Sequence, residues 1–225
     1  LSAAIYNAAE NSPWIKSSVS GGFVYNTIDD MKNPHAGIFA NVSGEVAGLG
    51  GDAKFFKVTT RATYYHTLSE ELDVVALLSG GAGHVSAFGS DGLRVFDQFQ
   101  SNDRMIRGFA YGGIGPYDPS TTSLDHLGGT TYFNASVETQ FPLPVIPESF
   151  GLKGALFADA ATLYGSDVNS AGAVAGDGME WRASAGIGLI WASPFGPLRV
   201  DYAVPFLKED TDEVEEFNFG VSTRF

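Results

Sequence analysis

The sequence predicts an all-β chain, an antiparallel transmembrane β-barrel, and three observations carry that prediction. Apolar and polar residues alternate with a period of two through segment after segment. No run approaches the roughly 18 consecutive apolar residues of a membrane-crossing helix. Hydrophobic residues still make up 44% of the chain, so any membrane crossing is made by strands. The connections alternate between short turns and long polar loops, the two-rimmed arrangement of outer-membrane barrels.

The elements follow in order. Leu1 to Trp14 places Leu1, Ile5, Ala8 and Ala9 at roughly helical spacing, which predicts a short helix on the long-loop rim, too short to be stable alone. A first strand is expected over Lys16 to Thr27. Ala36 to Gly48 sets Ile38, Ala40, Val42, Gly44 and Val46 against Phe39, Asn41, Ser43 and Glu45. Phe56 to Tyr65 repeats the pattern, with Phe56, Val58, Ala62 and Tyr64 opposed to Lys57, Thr59, Arg61 and Thr63. Leu72 to Val85 gives another strand, and a long loop then spans about 86–130. Beyond it Phe133, Ala135, Val137, Thr139 and Phe141 alternate with Tyr132, Asn134, Ser136, Glu138 and Gln140. Leu152 to Gly165, Glu180 to Ser193 and Leu198 to Val204 follow, and Phe217, Phe219, Val221, Thr223 and Phe225 alternate to the end. The total is about nine strands, each near the length that a tilted membrane strand needs.

Punctuation agrees with this reading. Ser193-Pro194-Phe195-Gly196-Pro197 is a tight turn, since proline presets its backbone angle and glycine supplies a left-handed position. Ser166 to Met179 and Leu207 to Glu216 are the longer connections beside it. A soluble β-sandwich also alternates, but it turns its apolar faces to one dry core. Here aromatic residues gather near strand ends, at Trp14, Tyr25, Tyr64, Trp181, Trp191 and Phe206, where a membrane girdle would place them, and this favours the barrel.

Composition removes several functions. The chain has no cysteine, so it carries neither a disulfide scaffold nor a thiolate metal site. Its net charge of -13 argues against nucleic acid as a partner, because phosphates require a basic face. His35, His66, His84 and His126 are scattered without metal-ligand spacing, and no metal is expected. Gly112-Gly113-Ile114-Gly115 and Gly186-Ile187-Gly188 lack the helix, lysine or spacing of a nucleotide loop, and are read as points of close backbone approach. The acidic run from Glu209 to Glu216 lacks the spacing of a calcium loop and reads as solvated. No serine elbow or paired-carboxylate motif appears. No catalytic residue and no cofactor are expected, and the chain is read as a non-enzyme.

Arg107, in Met105-Ile106-Arg107-Gly108-Phe109, is one of few basic residues and sits in the long loop. A guanidinium is a rigid fork of donors that stays charged, and a carboxylate pair is its natural acceptor. Glu138 projects from the polar face of the strand after the loop. Asp159, on a face with Lys153, projects from the next strand. Spacing alone leaves two readings standing: a loop folded into the lumen with Arg107 on both carboxylates, or a solvated arginine above two acids that separately line a wet channel.

Ile106-Arg107-Gly108-Phe109, followed by Gly113-Ile114-Gly115-Pro116-Tyr117-Asp118, resembles the loop signature of the BamA family of outer-membrane β-barrel assembly factors. Val24-Tyr25-Asn26-Thr27, Asp29 to Pro34, Ala47 to Asp52, Leu156-Phe157-Ala158-Asp159 and Trp191 to Leu198 are similar to the same family, most of all to its alphaproteobacterial members. Ile106 stands where the family commonly has valine.

The resemblance implies that Arg107 locks its loop in the lumen against Glu138 and Asp159. It implies that Phe217, Phe219, Val221 and Phe225 belong to a C-terminal β-signal, an edge that offers backbone hydrogen bonds. Residues 15–225 would be the C-terminal half of a sixteen-stranded barrel, with 1–14 a loop or short-helix remnant. The POTRA domains and opening strands of the family are then expected outside this chain, and the two bare edges of such a half are expected to associate edge to edge or to close non-natively. The implied function is insertion of β-barrel proteins into the bacterial outer membrane by strand pairing at a lateral gate. Nascent outer-membrane proteins, outer-membrane lipids and accessory assembly lipoproteins are the implied partners. A passive pore or secretion channel of the same superfamily is the alternative.

Overall fold

The period-two segments become strands of one antiparallel sheet in the computed structural model of the chain, which describes residues 1–10, 13–89, 92–144, 146–168, 174–193 and 196–221. In chain order the elements are α1 (Ala3–Glu10), β1 (Ser18–Asn26), β2 (Gly37–Ala47), β3 (Phe55–Ser69), β4 (Val74–Ala87), β5 (Gly108–Phe109), β6 (Thr131–Pro142), β7 (Leu152–Tyr164), β8 (Trp181–Ser193), β9 (Gly196–Leu207), β10 (Val214–Glu215) and β11 (Phe217–Val221). The sheet has nine strands in the order β1-β2-β3-β4-β6-β7-β8-β9-β11, so every neighbour in space is also the next long strand in the chain. β5 and β10 form a separate two-stranded ladder. Among the described residues β1 pairs only with β2 and β11 only with β9, so the sheet is open and its two ends do not meet.

Burial decides between barrel and sandwich. Along β6 to β9 the buried positions include Glu138, Asp159, Arg182, Arg199 and Asp201, while Val137, Leu156, Ile187 and Val200 on the opposite face are exposed. A soluble sandwich would invert this, since its apolar face must leave water. An exposed apolar face over a charged interior is the pattern of strands that meet lipid outside and a polar lumen inside. Tyr25, Tyr64, Trp181, Trp191 and Phe206 all lie on the outward face. Ile187 sits in the middle of β8, opposite Leu156 and Tyr202. Ile187→Arg is therefore expected to cost about 2–4 kcal/mol, the cost of a charge at mid-bilayer on a lipid-facing strand. Denaturant titration of the protein folded into bilayers measures it.

Apolar packing concentrates between the inner wall of the sheet and the long loop joining β4 to β6. Met105, Ile106, Phe109 and Ile114 of the loop pack on Ala161 and Leu163 of β7, flanked by Phe99 and Tyr132. Higher on the same rim, Leu93 joins Ala47, Phe55 and Val85. The loop thus fills the concave side of the sheet as a plug. Its glycines allow the close approach: Gly115 has φ +96°, and a Cβ there would lie 3.1 Å from Leu163, while one on Gly113 would lie 2.9 Å from the Glu213 backbone oxygen.

Several expectations are corrected in detail. The helix forms, but it buries Ala4 and Ala8, and Leu1 is left exposed, because the packing partners Val95 and Leu127 lie beneath the alanine stripe. Trp14 is not a girdle residue. It packs inward on the Ala47 and Phe55 cluster, with the Arg94 guanidinium 4.7 Å from its ring, and Arg94 also donates to the Ala8 carbonyl at the end of α1. β3 runs on past Tyr65 to Ser69 through an irregular register. The β5–β10 ladder has no counterpart in the sequence pattern, since two residues per strand carry no period. The Ser193 to Pro197 turn lies partly outside the described residues.

Candidate functional site

The tip of the loop is built by local hydrogen bonding. The Asn102 side chain accepts from the Arg104 and Met105 amides, and its carbonyl accepts from the Met105 and Ile106 amides, closing a tight turn. Ile106 then buries in the apolar cluster, and Arg107, next in the chain, is directed the other way, into the polar wall. Gly108 follows with φ +91°, a left-handed conformation that side chains resist. A Cβ there would also lie 3.2–3.3 Å from Pro205 and Ala203 on β9. The glycine lets the loop turn against β9 and pair with β10, Gly108 opposite Glu215 and Phe109 opposite Val214.

Arg107 is fully withdrawn from solvent, its side chain 0% exposed. Its Nε donates to Asp159 Oδ2 at 2.6 Å and its Nη2 to Asp159 Oδ1 at 2.6 Å, a bidentate pair. Its Nη1 donates to Glu138 Oε2 at 2.8 Å, and its Nη2 to Ser136 Oγ at 3.1 Å. The Arg107 amide adds a bond to Asp159 Oδ2 at 3.2 Å. The Phe157 ring lies beneath the guanidinium, with Cζ 3.2 Å from its centroid. Burial works against the charge, but Asp159 and Glu138 outweigh it and hold the guanidinium pKa above its ordinary value.

Arg199 and Asp201, adjacent on the inner face of β9, extend the network, and the sequence reading did not single them out. Arg199 donates through Nη1 and Nη2 to both Glu138 oxygens, at 2.8 and 2.9 Å, and through Nε to Asp201 at 2.7 and 2.8 Å. Asp201 Oδ2 lies 3.9 Å from Arg107 Nη1. Two guanidinium groups therefore face three carboxylates inside the lumen. Glu138 and Arg199 stand on strands three steps apart, roughly 14 Å of sheet at about 4.8 Å per strand. Gly188 of β8 leaves room for that reach, and Gly186 leaves room for the Phe157 ring beneath Arg107. A Cβ on Gly188 would lie 2.3 Å from Asp201 and 3.0 Å from Arg199, and one on Gly186 would lie 2.6 Å from the Phe157 ring and 2.2 Å from the Tyr202 carbonyl. The close approach inferred for Gly186-Ile187-Gly188 is thus an approach of network side chains as well as of backbone.

The remaining sequence-stated positions separate. Lys153, on the inner face of β7, serves a different cluster at the opposite rim, with Asp73 at 2.9 Å and Asn33 at 3.0 Å, and His35 joins it on Asp73 at 2.6 Å. Phe217 and Phe219 are exposed on the outer face of β11, and Val221 is the last residue of β11. Phe225 lies outside the described residues. The acidic run from Glu209 to Glu216 is only partly solvated, which corrects the sequence reading: Asp212 is buried on Arg182, and Val214 and Glu215 are paired with the loop. A run of acids reads as solvated from composition alone, because its buried partner lies on a strand far away in the chain.

The model of the Omp85 superfamily domain matches residues 2–225. The chain is 34% identical over 211 residues to outer membrane protein assembly factor BamA of Neorickettsia risticii, a similarity covering 94% of this chain and 28% of that protein. To BamA of Neisseria meningitidis serogroup B it is 28% identical over 226 residues, 91% of this chain and 28% of the relative. To the human sorting and assembly machinery component 50 homolog it is 27% identical, over 96% of this chain and 47% of that protein. The crystal structure of BamA from Haemophilus ducreyi lacking POTRA domains 1-3 matches with a TM-score of 0.77 and 31% identity, across 90% of this chain and 41% of that one. The chain thus spans less than a third of the length of either BamA relative.

Proposed function

This chain belongs to the Omp85 superfamily, and we propose on that premise that it forms the C-terminal part of the barrel of a factor that assembles β-barrel proteins in the bacterial outer membrane. The observation that carries this reading is the seat of Arg107. The loop tip is held in the lumen by a buried arginine bonded to two strands, and the loop also pairs with β10, directly before β11, the last described strand of the sheet. A plugged interior suits an insertase better than an open pore, because nothing polar needs to pass through the middle. Work is done at the edge instead, where the backbone groups of β11 that face away from β9 offer a template to an incoming strand.

The process is non-enzymatic. Strand pairing and transfer of apolar faces into lipid supply the driving force, with no nucleotide or cofactor. Unfolded outer-membrane proteins are the substrates in this reading, lipids of the outer membrane surround the exposed face, and accessory lipoproteins assist from the periplasmic side. Depleting the protein in its own host is the test. Loss of folded barrel proteins from the outer membrane, seen as loss of heat-modifiable bands on gels, is expected. Unchanged barrel levels with a lost solute flux or a lost secreted protein would contradict it and point to a pore or secretion channel.

A further inference from the structure

The seat of Arg107 is connected to the edge of the sheet through a second buried arginine pair. Arg182, on the inner face of β8, holds Asp212 through Nε and Nη2 at 3.0 Å each, and its Nη1 donates to the Glu180 carbonyl at 2.9 Å. The two side chains are 3% and 0% exposed. Asp212 lies in the connection between β9 and β11, and its Oδ2 also accepts from the Glu209 amide at 2.8 Å, so the carboxylate organises that connection. Around it the loop of Arg107 is bonded to the same connection at successive points. The Ala110 amide donates to the Glu213 carbonyl, the Glu213 amide to the Gly113 carbonyl, and His126 Nε2 lies 3.1 Å from the Thr211 carbonyl oxygen. β5 pairs with β10, and β10 is separated from β11 by Glu216 alone.

We propose that Arg182 and Asp212 form a clasp that couples the lumenal seat of Arg107 to β11, so that the start of the edge strand is held while the loop is seated and released when it is not. The chemistry favours a two-state device. β11 pairs with β9 at the described positions Phe217 to Val221, and its start is anchored by contacts separate from that ladder. That start is held by backbone bonds from residues 108–113, directly after Arg107, together with the bond from the Ala203 amide to the Glu216 carbonyl and the bond from the Tyr202 hydroxyl to Glu216 Oε2. Withdrawing Arg107 pulls on Gly108 and Phe109 and strips β10 of its partner. Losing the clasp frees the connection from β8 and loosens the same ladder from the other side. By linkage, each change favours the other. The regulatory consequence, control of when the edge is offered to an incoming strand, rests on the assembly reading above.

Hydrogen exchange by mass spectrometry on the complete protein in bilayer discs tests the coupling. Asp212→Asn is expected to raise exchange over 214–221 by at least about tenfold, because a buried guanidinium loses its counter-charge, while β6 and β7 amides stay protected and report an intact barrel. Arg182→Lys, which keeps the charge but loses the fork, should give a smaller rise. Arg107→Ala should raise exchange in the same segment, and Asp212→Asn added to it should contribute far less than it does alone. Unchanged protection of 214–221 in Asp212→Asn, or independent multiplication of the two effects, overturns the proposal. The readout needs no substrate. A wild-type protein that inserts no barrel protein into liposomes would therefore sink the assembly reading while the exchange result still decides the clasp.

Discussion

Replacing Arg107 by alanine is expected to unseat the loop at a cost of about 3–5 kcal/mol, the penalty for removing one side of a buried ion pair. The size follows from what is left behind. Asp159 loses both bidentate bonds and keeps the Ser136 hydroxyl at 2.6 Å as its neutral donor, in a site where its side chain is 3% exposed. Glu138 still has Arg199. The apolar half of the seat, Ile106 and Phe109 on Leu163, remains and sets a floor under the loss. Arg107→Lys should recover less than half of it, since one ammonium cannot satisfy Asp159, Glu138 and Ser136 together or lie flat on Phe157. Trypsin reads the outcome directly: Arg104 lies exposed in the turn three residues before Arg107, and a released tip presents it for cleavage.

Asp159→Asn is expected to damage the seat far more than Glu138→Gln, although the family resemblance treats the two carboxylates alike. Asp159 takes three bonds from Arg107, two from the guanidinium and one from the amide. Glu138 takes one from Arg107 and two from Arg199. With Glu138 neutral, Arg107 keeps Asp159 and Arg199 keeps Asp201, so each guanidinium retains one carboxylate. With Asp159 neutral, Arg107 must share Glu138 with Arg199, and the like charges of the two arginines oppose that sharing. A loss of about 3 kcal/mol or more for Asp159→Asn against roughly 1–2 kcal/mol for Glu138→Gln is the expected ordering, from protease susceptibility of the loop across denaturant.

The strands and their faces were legible because alternation is local: a residue's side of the sheet depends only on its neighbours in the chain. That logic placed Glu138 and Asp159 inside the lumen without knowledge of the strand order. It could not connect Arg199 to Glu138, since that contact crosses two intervening strands and needs the room left by the missing side chain of Gly188. The β5–β10 ladder escaped for a related reason, being too short to carry a period. Asp212 escaped because its partner lies thirty positions upstream on a strand, and Trp14 because an aromatic near a strand end looks the same in sequence whether it faces lipid or folds inward. What stayed hidden in each case was a long-range contact of a loop.

The most direct test of the loop seat is a double-mutant cycle of Arg107→Ala and Asp159→Ala, read as the free energy of loop opening from trypsin cleavage rates at Arg104 in the folded protein. The geometry predicts a coupling energy of about 2 kcal/mol or more, with the double variant hardly worse than either single one. A coupling near zero, with each substitution acting independently, would contradict a loop held in the lumen by this pair.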